Sequence, residues 1–191
     1  MRCRTGFFNA YSVDNNIHIE TNRGEVDLPT PRQKPTEVRK ECHALADYIA
    51  PQGYNDHIGC FAVTIGEKLR QLISESDPQT DSYGHLLLQS LCDRLAEATS
   101  EWLHYQVRHE LWGYAPDEQL DHDNIRHVRY QGIRPAVGYP SLPDQRLMHT
   151  LDRLLGLDEI GIEVTENGAL SPSSSVAGFY ISCSKARYFS V

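Results

Sequence analysis

The sequence predicts an α+β fold: a mostly antiparallel twisted sheet packed by one long central helix. Three observations point there. Strand-like patterns gather at both ends of the chain, and no Gly or Pro interrupts the span from His85 to Trp112. Near the C-terminus Val176, Gly178 and Tyr180 alternate with Ala177, Phe179 and Ile181. Side chains alternate across a strand and repeat every three or four positions on a helix, so the two patterns are distinguishable. Strands and helices kept in separate stretches of chain suit an α+β unit better than an alternating α/β one.

Taken in order, Phe7 to Val13 and Ile17 to Glu20 read as two strands around the turn Asp14-Asn15-Asn16. Pro29 to Pro35 is a polar loop with three prolines, and Thr36 to Pro51 is compatible with a helix followed by a strand end. HIGCFAVTIG, His57 to Gly66, is rich in β-branched and aromatic residues and reads as a buried strand. Between Ser82 and Trp112, Leu88, Leu91, Leu95, Ala98 and Trp102 recur at steps of three and four, which predicts the core-facing stripe of a long helix. GYAP, Gly113 to Pro116, ends it. A shorter helix is expected over Gln119 to Tyr130. Asp144 can cap another that carries Leu147, Leu151, Leu154 and Leu155 and closes at Gly156. Ile160, Ile162 and Val164 alternate as a strand does, and Arg187 to Val191 is strand-like.

The 191 residues suffice for one domain with a real core, and 40% hydrophobic with 23% charged residues is ordinary for a globular chain. A net charge of −8 argues against general nucleic-acid binding, which needs clustered Lys and Arg. No signal-peptide pattern and no apolar run of roughly 20 residues is present, so the expectation is a soluble, cytoplasmic protein with no membrane association. The five cysteines form no CxxC pair and suit reduced thiols. His104/His109 and His122/His127 are spaced by five, which turns side chains apart on a helix, so no metal site is expected.

The segment YQGIRPAVGYPSLPD, Tyr130 to Asp144, holds two glycines and three prolines and can be neither a helix nor a central strand. Read as a site, Gly132 and Gly138 let backbone approach a ligand. Arg134 offers a planar cationic fork for a carboxylate, and Tyr139 offers an aromatic face with a hydroxyl. A small zwitterion bearing a carboxylate and a flat ring would use these groups. Read as a connection, the prolines stiffen a surface loop and Arg134 sits in a local salt bridge. Asp93 and Glu97, four apart, share one face of the long helix, either as a solvated acidic edge or as part of a site.

RPAVGYPSLPD resembles the RPAPGYPxxPD signature of the activation domain of cobalamin-dependent methionine synthase. HIGCFAVTIG resembles that family's strand before its helical section, and LCDRLAEATSEWLHYQVRHELWGYAPDE resembles its long helix. IGIEVTENGALSPSSSVAGFYIS and ARYFSV resemble its closing strands, so the likeness runs in order from about Phe7 to Val191. The resemblance implies a domain that binds S-adenosylmethionine and supports reductive methylation of cob(II)alamin, with an electron from a flavodoxin-type partner. It assigns Arg134 to the methionine carboxylate, the Ala136 to Gly138 backbone to the cleft, and Tyr188 and Phe189 to the nucleoside. It sets Asp93 and Glu97 beside the cobalamin module, with Asp93 as acceptor for a histidine displaced from cobalt.

The likeness has departures. Relative to the family's domain, residues 1–191 lack an N-terminal helical portion, with the aspartate expected for the ligand's amino group, and a C-terminal tail. There is no DxHxxG motif for cobalamin and no adjacent cysteine pair for zinc-bound homocysteine, so methyl transfer to homocysteine is not expected of this chain by itself. Val128 stands where an acidic residue is common, and NGALSPSSS replaces a more aromatic stretch. The alternative expectation is a degenerate, non-catalytic interaction fragment that binds no ligand.

Overall fold

The structure is a computed structural model and describes residues 1–191. Strand β1 (Arg2–Val13) turns at Asp14, whose φ of 54° lies in the left-handed region that Asp tolerates, into β2 (Asn16–Thr21). Then follow β3 (Gly24–Pro29), β4 (Asp56–Thr64), helix α1 (Glu67–Glu75) and the long helix α2 (Ser82–Gln106). The chain continues through α3 (His122–Arg126), α4 (Met148–Leu155), the short strands β5 (Glu163–Val164) and β6 (Leu170–Ser171), and β7 (Ser175–Tyr180). The main sheet is antiparallel throughout, in the order β3-β2-β1-β4-β7, and β5 pairs with β6 separately. No helix is long and apolar enough to cross a membrane.

Both faces of the sheet are covered, which explains why β4 reads as continuous apolar sequence. Ile58, Cys60 and Ala62 of β4, with Ala177 and Phe179 of β7, face Leu147 and, on α4, Met148, Leu151 and Leu155. Phe61, Val63 and Tyr180 face the other way, toward Leu103 of α2 and Val107 just beyond it. The alternation expected for β7 is the one observed. Asp144 accepts from the Arg146 N–H, and Gly156 closes α4 with a φ of 62°, as the cap residues imply.

The long helix forms where expected, capped by Asp81, whose carboxylate accepts from the Gly84 N–H at 2.8 Å. Its orientation differs from the expectation. Leu91, Leu95 and Trp102 are 52%, 37% and 56% exposed, and Ala98 is exposed too. The buried line is Cys92, Ala96, Ser100, Leu103 and His104. That line starts with the small residues Cys92, Ala96 and Ser100 and ends with Leu103 and His104, where Leu103 packs with Phe61 and Tyr180 and His104 stacks on Tyr180. The last turn, Val107–Leu111, is π-wound, and the Trp112 N–H reaches back to the Val107 carbonyl.

Other elements are shorter than the patterns suggested. The helix near Gln119 is confined to His122–Arg126, and Leu45–Tyr48 is a single 3-10 turn in a segment otherwise without helix. Ile160 ends a 3-10 turn, leaving only Glu163–Val164 as strand, and Arg187 to Val191 runs without strand pairing. That last segment is fixed instead by single bonds. The Val191 N–H donates to the Pro140 carbonyl at 3.1 Å, and Gln33 Nε2 donates to the Ser190 carbonyl at 2.7 Å.

Candidate functional site

The proline-rich loop is tied to the sheet. Ile133 and Ile181 exchange both backbone bonds, the Val137 N–H donates to the Ala177 carbonyl, and the Phe179 N–H donates to the Pro135 carbonyl. The loop therefore shields the open edge of β7, and the edge strand holds the loop in shape. Gly178 permits this: a Cβ there would lie 2.4 Å from the Pro135 carbonyl oxygen. Gly138, at a φ of 87°, reverses the chain so that its N–H donates to the Leu142 carbonyl at 2.9 Å.

Between this loop, α2 and the C-terminal segment lies a cavity of about 460 Å³. That is within the usual range for a small-molecule site. Of the residues singled out from sequence, it gathers Glu97, Arg134, Ala136, Tyr139, Tyr188 and Phe189 in its wall. Gly138 shapes the turn without lining it. Asp93 also lies outside the wall, exposed, and accepts from the Ser174 hydroxyl at 2.6 Å.

Arg134 is held from two sides. Its backbone N–H donates to the Tyr188 hydroxyl at 2.9 Å, which fixes the loop to the C-terminal segment. Its Nη2 donates to Glu101 Oε2 at 2.6 Å, an ion pair with side chains 18% and 27% exposed. Burial opposes the arginine's charge, and the Glu101 carboxylate more than offsets this, so its pKa is raised and it stays a cation. The Tyr139 hydroxyl donates to Glu97 Oε1 at 2.8 Å, which raises the phenol's pKa. Both readings of the loop thus have a counterpart: Arg134 does sit in a local salt bridge, and that bridge lines a cavity with aromatic walls.

Behind the wall is a buried polar layer that the sequence did not reveal. Arg108, 1% exposed, pairs with Glu118 Oε2 at 2.6 Å, and its guanidinium lies 4.1 Å from the Tyr130 ring centre. His104 is fully buried, stacks on Tyr180 and meets the edge of Tyr130, with Nε2 at 3.1 Å from the Tyr114 hydroxyl. Burial, with Arg108 and Arg134 nearby, pulls its pKa well below the ordinary histidine value. Glu101, the acid in contact with Arg134, was missed as well. The available signal was its place one turn after Glu97 on α2, on the same face.

The whole chain, residues 1–191, matches the family described as vitamin B12 dependent methionine synthase, activation domain. A solved structure of the MetH reactivation domain bound to AdoHcy is similar, with a TM-score of 0.90 and 36% sequence identity. The likeness covers 97% of this chain and 59% of that one, so the chain spans little more than half the length of the relative.

Proposed function

The chain belongs to the activation-domain family of vitamin B12-dependent methionine synthase, and from that premise we propose that residues 1–191 bind S-adenosylmethionine and serve reactivation of the cobalamin. The observation that carries this reading is the position of Arg134, in a cavity wall beside Tyr139, Tyr188 and Phe189. The binding of AdoHcy by the similar structure supports it.

On this reading Arg134 forks onto the methionine carboxylate, and the Ala136 to Gly138 backbone shapes the floor of the cleft. Tyr188 and Phe189 flank the nucleoside. The Tyr188 hydroxyl already fixes the Arg134 backbone, so the segment that holds the base also positions the carboxylate fork. The chemistry supplied from outside the chain is a methyl from the sulfonium and one electron from a flavodoxin-type donor, which together return cob(II)alamin to its methylated form. A cobalamin-binding module, in the same or a separate chain, docks beside Asp93 and Glu97, where Asp93 accepts an imidazole N–H. This chain's part is to bind, orient and shield. Transfer to homocysteine lies with other modules.

Calorimetry with S-adenosylmethionine and with AdoHcy tests the reading. Arg134→Lys and Arg134→Ala both lose about tenfold or more in affinity, because lysine keeps the charge but not the paired planar donors. Unchanged affinity of the folded fraction, together with a lower melting temperature, would return Arg134 to the role of loop anchor. It would also leave the non-catalytic interaction fragment as the better account.

A further inference from the structure

We propose that Ser174 is a positioning residue for the docked cobalamin module: it holds one carboxylate oxygen of Asp93 and leaves the other free for the incoming imidazole. The assignment rests on the reading of Asp93 as the imidazole acceptor. Asp93, Glu97 and Glu101 follow one another at four-residue spacing on α2, and each accepts from a donor outside the helix: Ser174, Tyr139 and Arg134. Glu97 and Glu101 line the cavity, and Asp93 lies beyond it, exposed. Asp93 is thus the acid of this row left open to a partner. The hydrogen bond that holds its side chain runs from the Ser174 hydroxyl to Oδ1, at 2.6 Å.

An exposed aspartate in a helix samples several rotamers and can turn its oxygens to nearby backbone. A partner that uses it must first order it, and Ser174 does so in advance. Ser174 is only 4% exposed and has one proton to give, which goes to Asp93. The segment that carries it is itself fixed. The Ser175 hydroxyl donates to the Pro172 carbonyl at 2.7 Å, and the Ser175 N–H donates to the Ser173 carbonyl at 2.8 Å. The Ser175 and Thr64 hydroxyls lie 2.7 Å apart, which ties the segment to the end of β4. A carboxylate accepts at both oxygens, so Asp93 Oδ2 stays available for an imidazole N–H. Ser174 lies in NGALSPSSS, a stretch that departs from the family pattern, so this support belongs to the chain's own sequence.

The experiment titrates the full chain into a cobalamin-binding module that holds cob(II)alamin on the histidine of a DxHxxG motif. Absorbance and electron paramagnetic resonance report whether the imidazole nitrogen is on cobalt, so the midpoint of displacement is read directly. Ser174→Ala is expected to move that midpoint to a chain concentration about two- to tenfold higher, the loss that follows when a side chain must be ordered on binding. Asp93→Ala is expected to move it at least as far. In the Asp93→Ala background Ser174→Ala should add nothing, because no carboxylate is left to position. An unmoved midpoint for Ser174→Ala, with Asp93→Ala impaired, overturns the assignment and leaves Asp93 as the acceptor. A Ser174→Ala loss that persists in the Asp93→Ala background also overturns it, since the serine would then act through the fold of its own segment. If Asp93→Ala displaces the histidine as the wild type does, or the wild type displaces none, the docking reading of Asp93 fails and this assignment fails with it.

Discussion

On one face of the sheet, Ile58, Cys60, Ala62, Ala177 and Phe179 pack in one apolar cluster with Met148, Leu151 and Leu155 of α4. On the other face, Phe61 and Tyr180 meet a helix whose buried line includes Ser100 and His104, with Arg108 just past its end. Strand β7 serves both faces with alternate residues, so the difference lies in what covers them. The α4 face is closed and apolar and can be adjusted for packing alone. The α2 face gives up apolar contact to bury a histidine and Arg108 and to hold the half-buried Arg134–Glu101 pair, and it is the face that opens into the cavity. Buried polar groups stabilise little in net terms and are costly when left unpaired, so their concentration on one face marks it as built for a task. The comparison predicts that stability and ligand binding separate by face.

The largest effect expected is that of a core truncation, tested first on the closed face. Leu151 of α4 is fully buried, so Leu151→Ala should destabilise by about 2–5 kcal/mol through lost transfer energy and the cavity left behind. Denaturant melts measure this. AdoHcy affinity per folded molecule should stay at the wild-type value, since the residue lies outside the cavity wall. A parallel loss of affinity would break the separation of faces.

A smaller effect, of a different kind, is expected on the open face. His104 is buried with its pKa held well below the ordinary value by desolvation and by Arg108 and Arg134. The unfolded chain therefore takes up this proton at a higher pH than the folded one. The stabilising contribution is full above the unfolded value near 6.5 and declines as pH falls below it. Melting temperatures from pH 7.5 down to 5 should fall for the wild type, and His104→Gln should flatten that slope while lowering stability at neutral pH. An unaltered slope would show that other groups govern the acid response.

Legibility in the sequence also divides by face. The continuous apolar run of β4, the alternation of β7, the Asp144 cap and the Gly156 stop are local patterns, and the structure follows them. Strand β3 was unread because, of its six residues, only Leu28 is buried, and α1 was unread because it buries none. Arg134 and Tyr139 could be found from side-chain chemistry in an odd loop, whereas Tyr188 and Phe189 came only through resemblance. Glu101 offered only its place one turn after Glu97, and His104 and Arg108 could not be found, since their burial depends on Tyr130 and Tyr180, which are distant in sequence. Polar residues show no period that separates a buried line from a solvated one.

The smallest expected effect tests that failure most directly, on two adjacent residues of α2. Periodicity alone favoured Trp102 as the core residue, yet Trp102 is 56% exposed and Leu103 is 4% exposed, packed with Phe61, Val63 and Tyr180. One step along a helix turns a side chain by about 100°, so the two cannot share a partner. Leu103→Ala removes contacts with the sheet and should cost about 2–5 kcal/mol. Trp102→Ser removes a large ring from a solvated surface, and none of the mechanisms behind large destabilisation applies there. Its stability should stay within about 0.5 kcal/mol of the wild type. A Trp102→Ser loss of the size expected in a core, with Leu103→Ala mild, would rotate α2 by that one step. It would also turn Glu101 away from Arg134, because Glu101 and Trp102 are consecutive on the same helix. The phase of this helix thus fixes both which residues stabilise the fold and which acid reaches the cavity, and the two measurements have to agree.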